Sequence, residues 1–170
     1  MLESGDMFIQ PDPIADFQTL NEISLILNQS SDVQTALELS LARLVDLMGL
    51  ETGWVFVMDP SADEQSGGRG FRLAAHYNLP PVLAVTNPDA WDKECDCQIM
   101  CLNGALSEGF NEVRCSRLDR VAGDRNGLAV HATTPLRSGE RILGILNVAA
   151  PDWSCFTPRN LSLLTNVGNQ

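Results

Sequence analysis

Four of the chain's five cysteines crowd into one segment, KECDCQIMCLNGALSEGFNEVRCSRL, with the spacing C-x-C-x3-C-x13-C: Cys95, Cys97, Cys101 and Cys115. Thiolates are soft, strongly donating ligands, and four of them suit an iron–sulfur cluster or zinc. A helix over residues 97–106 puts Cys97 and Cys101 on one face. Cys95 then stands just before that helix, and Cys115 returns from a loop to complete the set. Structural zinc sites usually pair C-x2–4-C knuckles, whereas this chain offers one crowded C-x-C-x3-C. A domain of this size also has core enough to fold without zinc. The set is therefore read as the ligands of an iron–sulfur cluster, 4Fe-4S in preference to other types, with zinc as the alternative metal.

Two metal-free chemistries compete with this reading. Inert buried thiols would follow the apolar periodicity of their element, but three of these sit among Lys93, Glu94, Asp96 and Gln98. A redox thiol switch is the other. Arg114, Arg117, Arg120 and Arg125 surround the fourth cysteine and would favour an anionic cluster. Glu112, Asp119 and Asp124 lie among them, so the run reads first as a solvated loop. Trp91 lies close enough to Cys95 to shield a cofactor, with a structural anchor as the default role. Cys155, isolated in PDWSCF, is expected to be a core or loop thiol. His76 and His131 fall on strand-like runs and are expected as hydrogen-bonded core or pocket residues rather than haem ligands. SGGRG lacks the lysine and the strand-to-helix context of a phosphate loop and reads as a flexible turn.

The elements that hold these residues follow from periodicity. Residues 1–13 carry two prolines and few apolar positions, and read as a tail before a single domain over 14–170. Phe17, Leu20, Ile23 and Leu27 recur at helical spacing. Ser31 and Gln34 have the form of a capping box, opening a second helix from Val33 to Met48 that Gly49 ends. TGWVFVM (52–58) and FRLAAHY are paired strands, and Pro80–Pro81 open a short helical turn. Residues 88–126 show little strand pattern and form a crossover. GLAVHATTPL and ILGILNVAAP, joined by RSGER, form a hairpin. Thr157 and Pro158 start a last helix. The expected class is α+β, an antiparallel sheet flanked by helices with a cysteine-containing crossover segment.

The chain has 170 residues, a formal net charge of −11 and a pI near 4.4. That charge repels phosphate backbones and anionic lipid, which argues against nucleic-acid binding. No apolar run is long enough to span a membrane, and the first residues lack the basic and apolar regions of a secretory signal. A cytoplasmic location is expected, and an odd number of cysteines there makes a disulfide framework improbable.

The order of elements, with LNEISLILNQSSDVQTALELSLARLVDLMGLETGWVFVMD, LAAHYNLP, ATTPLRSGERILGILNVAAP and FTPRNLSLLTNVGNQ, resembles the GAF domain family of bacterial signalling proteins over residues 14–170. The resemblance implies a ligand or cofactor pocket under the crossover. It also implies a homodimer through the terminal helices and an output module, often a histidine kinase. Some sensor kinases with GAF domains are similar in using cysteine-bound iron–sulfur clusters, so the resemblance implies sensing of redox state, oxygen or nitric oxide. It implies a sensory module and not an enzyme, although some small GAF proteins reduce free methionine sulfoxide with several cysteines. A metal-free small-ligand pocket is the other alternative. Bilin attachment commonly needs a cysteine followed by histidine, which none of these is.

Overall fold

Proline is tolerated at the first position of a helix because its missing N–H would be unpaired there anyway, and Pro13 opens α1 (Pro13–Gln29). The helix thus takes in the last residue of the expected tail. The computed structural model describes residues 13–29, 32–62, 67, 68, 70–107 and 109–169, so residues 1–12 lie outside it. The apolar stripe of α1 is only partly used. Ile23 is fully buried and Leu20 half-buried, whereas Phe17 is 72% exposed; the Leu27 side chain lies outside the described residues.

α2 (Val33–Leu47) starts at a cap one residue later than expected. The Asp32 carboxylate accepts from the N–H groups of Gln34 and Thr35, and Ser31 lies outside the described residues. Val33, expected on the inner face, is exposed at the first position of the helix. Gly49, at φ 65°, ends the helix in the left-handed conformation that glycine adopts without strain.

The sheet is antiparallel throughout and has five strands in the order β2-β1-β5-β4-β3. β1 (Thr52–Met58) and β2 (Phe71–Tyr77) form one pair, and β4 (Val130–Ser138) and β5 (Arg141–Ala150) form the hairpin. The edge strand β3 (Asn111–Arg114, NEVR) was not expected. It is short and polar with one apolar inward residue, Val113, so it carries no alternation to read. The crossover between β2 and β4 contains α3 (Pro88–Trp91), α4 (Asp96–Leu102), β3 and α5 (Ser116–Arg120). α6 (Pro158–Gly168) starts as expected, with the Thr157 hydroxyl accepting from the Asn160 N–H.

Alternation along the strands sends successive side chains to opposite faces, and each face has its own core. Val55, Leu146, Val148 and Ala132 pack against Ile23, Leu41 and Leu44 of the first two helices and Leu164 of α6. Trp54, Phe56, Ile145 and Ala149 pack under the crossover, against Leu83, Trp91, Leu118 and the four cysteines. Long helices therefore cover one face and the short elements of the crossover cover the other. Among the described residues, no helix is long and apolar enough to cross a membrane.

Candidate functional site

The crossover gathers the thiols in two steps. α4 follows Cys95 directly, and Cys97 and Cys101, one turn apart on it, are both buried. The Cys95 and Cys97 sulfurs lie 2.8 Å apart. Cys115 then arrives at the junction of β3 and α5, where its sulfur accepts from the Leu118 N–H at 3.4 Å. It comes from a strand end, not from the expected loop. The charges of Cys95, Cys97 and Cys115 act on one another, whereas Cys101 is influenced by Arg137. Three thiols thus form a group and the fourth stands at its side. All are free thiols. Among the described residues, no three His, Cys, Asp or Glu side chains converge closely enough to hold a single metal ion.

The arginine run divides sharply. Arg114 and Arg120 are exposed, and Arg125 pairs with Asp119 at 3.2 Å, as a solvated run should. Arg117 is different: it is 0% exposed, which overturns the solvated reading for that residue. Position 117 lies on the inner side of α5, and its guanidinium finds enough partners there to stay buried. It donates through Nη1 to the Ala90 carbonyl and through Nη2 to Gln98 Oε1 at 2.9 Å, with a longer contact to the Gly67 carbonyl at 3.4 Å. It also lies over the rings of Trp91 at 4.9 Å and Phe56 at 5.3 Å, where ring quadrupoles attract a cation.

No carboxylate neutralises Arg117 among the described residues, and a buried cation without a counter-charge is costly. The thiols supply one. Burial works to raise the Cys95 thiol, but the Cys97 contact, the Arg117 charge and the Gln98 hydrogen bonding outweigh it and bring it down to about 6. Burial, reinforced by the neighbouring Cys95, pushes Cys97 well up. Burial pushes Cys115 up to about 12 and raises Cys101. Within the group Cys95, beside the guanidinium, is thus the thiol that gives up its proton most readily.

Gln98 ties the group together. Its Oε1 accepts from the Cys95 N–H at 2.9 Å and from Arg117, and its Nε2 donates to the Gly67 carbonyl at 2.6 Å. The glycine-rich segment is therefore anchored at Gly67 rather than a free turn. Gly67 sits at φ 138°, and a Cβ there would lie 3.0 Å from the Phe56 ring, so only glycine lets this carbonyl face the site. The sequence held a cue for Gln98: Cys95 and Gln98 have the spacing of a helix-start box, with glutamine reaching back to the capping N–H.

Among the described residues, several buried polar atoms in this layer have no partner, among them Trp54 Nε1, both ring nitrogens of His131, Asn111 Nδ2 and Arg117 Nε. Burial, with the Arg117 charge, holds His131 down at about 3, so it is a neutral imidazole. Its ring lies 5.6 Å from that of Trp54. His131 is thus a buried residue without the hydrogen bonds expected of it, and His76 is exposed. Trp91 is buried, donates to the Ala84 carbonyl at 3.3 Å and meets Phe56 edge-on, as a structural anchor does. Cys155 is half-buried against the helix-side core.

The family model for the GAF domain matches residues 30–170. This chain belongs to the GAF domain family. The domain is 34% identical over 158 residues to the sensor histidine kinase YhcY of Bacillus subtilis (strain 168), covering 90% of this chain but only 40% of that protein's length. Two solved GAF domains from phosphoenolpyruvate-protein phosphotransferases, of Acinetobacter and of Coxiella burnetii, share the fold with TM-scores of 0.61 at 14% identity. Each comparison covers 93% of this chain and 90% of the other. A phycocyanobilin-bound GAF domain of a cyanobacterial phytochrome is similar with a TM-score of 0.59 at 12% identity, over 94% and 91% of the two chains. At these identities the structures share the fold with this chain and carry nothing about its ligand.

Proposed function

We propose that this GAF domain is the sensory module of a signalling protein with a histidine-kinase output, and that its sensing element is an iron–sulfur cluster held by Cys95, Cys97, Cys101 and Cys115. The observation that carries the reading is the chemistry of the cysteine layer. It combines four buried thiols with, among the described residues, a buried guanidinium that has no carboxylate and unpartnered N–H donors at Trp54, Asn111 and Arg117. Buried donors left unpaired cost about 1–3 kcal/mol each, so they call for an acceptor-rich, anionic group. A thiolate-bound cluster is such a group, and its sulfurs accept hydrogen bonds that tune its potential. It spreads its thiolates over several irons and so does not need them to converge on one point, as a single zinc ion does.

Bound there, the cluster supplies an electron-transfer centre sensitive to redox state, oxygen and nitric oxide. The rest falls to the chain itself. Arg117 offsets the negative charge and links α3, α4 and the Gly67 segment. Trp91 and Phe56 exclude water. The hairpin strands β4 and β5 form the route outward, because they carry His131 and Ile145 on the cysteine side and Ala132 and Leu146 against the helices. A change of charge among the thiols would loosen the crossover and shift α1, α2 and α6, which pair two copies in this reading and pass the change to the kinase.

A cysteine-to-serine series on anaerobically purified protein tests this. Cys95→Ser, Cys97→Ser and Cys115→Ser are expected to abolish bound iron and sulfide while leaving a folded domain. Cys155→Ser is expected to change neither. Zinc in place of iron, or metal content indifferent to these cysteines, overturns the reading. Metal-free, thiol-dependent reduction of a methionine sulfoxide replaces it with an enzymatic one.

A further inference from the structure

The helix-covered face holds a separate cavity of about 440 Å³, between α2, the end of α6 and the β4–β5 turn. Its walls are apolar for the most part and include Leu41 and Leu44 of α2, Val55 and Leu146 of the sheet and Val167 of α6. Ser40 also lines it. This residue is only 6% exposed, and its hydroxyl has no hydrogen-bond partner among the described residues. A buried hydroxyl facing an apolar cavity without a partner is a cost to the empty domain. Small-molecule sites have this composition: mostly apolar walls, a few polar groups and a volume of about 300–1,000 Å³.

We infer that this cavity is a second ligand site, independent of the cysteine layer, which takes a neutral, chain-like apolar molecule carrying one hydroxyl or carbonyl head that bonds to Ser40. Neutrality follows from the lining. Its one charged residue is Arg137, and that guanidinium acts on Cys101 in the other layer. Ile142, the strand partner of Arg137, packs in that same layer. No cation is thus free to receive a carboxylate, and the chain's charge of −11 disfavours anions. Because α2 and α6 are both walls, occupancy fixes their spacing, so the ligand adjusts the same helices from the opposite side of the sheet.

The probe is 1-octanol, titrated into the whole domain and followed by methyl NMR, with octane and octanoate as controls. Saturable shifts confined to methyls that line the cavity, those of Leu41, Leu44, Val55, Leu146 and Val167 among them, are expected, with 1-octanol binding more tightly than either control. Ser40→Ala removes the hydroxyl without adding bulk to the cavity wall. It is expected to fold at least as stably as the parent and to weaken 1-octanol about three- to tenfold, the worth of one hydrogen bond. Leu37→Trp, placed at the wall, is expected to abolish binding by filling the space. Saturable shifts at the same methyls are expected in iron-free protein as well, which separates this site from the proposed cluster. Unsaturable or scattered shifts, octanoate or octane binding as tightly as 1-octanol, or an unchanged affinity in Ser40→Ala overturns the inference.

Discussion

The two faces of the sheet are built from different materials. On the helix face, Ile23, Leu41, Leu44, Val148 and Leu164 meet as an ordinary apolar core in which Ser40 is the exception. On the crossover face, a buried arginine, a neutral histidine, an amide and four thiols share the interior with Trp54 and Phe56. The first face is what a fold needs. The second is more polar than stability alone would select, since buried polar groups without partners oppose folding. The contrast sets two tasks apart: apart from the cavity at Ser40, the helix face is the apolar core that holds the domain together, and the crossover face carries the polar interior that the proposed cluster would use.

Removing the charge from the crossover face should have the largest effect. Arg117→Met leaves the Ala90 carbonyl and Gln98 short of a donor and the Cys95 thiolate without its counter-charge. A loss of about 4 kcal/mol in urea unfolding is expected, with the Cys95 thiol returning toward the ordinary range in alkylation-rate profiles. The parallel change on the other side, Arg43→Met, breaks only the exposed ion pair with Glu22 and should leave unfolding unchanged. Equal costs for the two would erase the contrast between the faces.

A purely apolar deletion sharpens it from the other side. Leu164→Ala, in the helix-face core, should cost about 3 kcal/mol by leaving a cavity yet leave the thiol titration where it is. Acid should act through the crossover face. His131 binds its proton near 3 when folded, against 6.5 for the free side chain. Between those values the unfolded chain therefore holds the extra proton, and stability falls as pH falls, by about 1.4 kcal/mol per unit. Above 6.5 neither state is protonated and the dependence vanishes. His131→Phe should flatten that slope in unfolding curves recorded across the window. The smallest change belongs to the helix face: Thr157→Ala removes the cap of α6 and should cost about 1 kcal/mol in thermal or urea unfolding.

The same contrast explains what was legible in the sequence. Helix-face elements follow strong rules, so the periodic leucines of α2, the β4–β5 hairpin and the Thr157–Pro158 start of α6 all stand where pattern places them. Even there, the cap fell on Asp32, because two adjacent residues of similar chemistry compete for that role. The crossover follows few rules. β3 has one inward apolar residue and no alternation, and Arg117 is indistinguishable from Arg114 and Arg120 until α5 turns it inward. The cysteines were legible as a set because their spacing is unusual. Their arrangement as three together and one apart, and the unpartnered donors of Trp54 and Asn111, come from side chains distant in sequence that only the closed fold brings into one layer.

If the crossover face is built around an acceptor-rich, thiolate-bound group, as proposed, then assaying iron and acid-labile sulfide in the unmodified domain, purified without exposure to oxygen, detects it. A brown protein with iron and sulfide in equal amounts is expected, both lost together with the colour on exposure to air. A colourless protein with neither, whose Trp54 and Asn111 N–H groups are protected from exchange all the same, would contradict it.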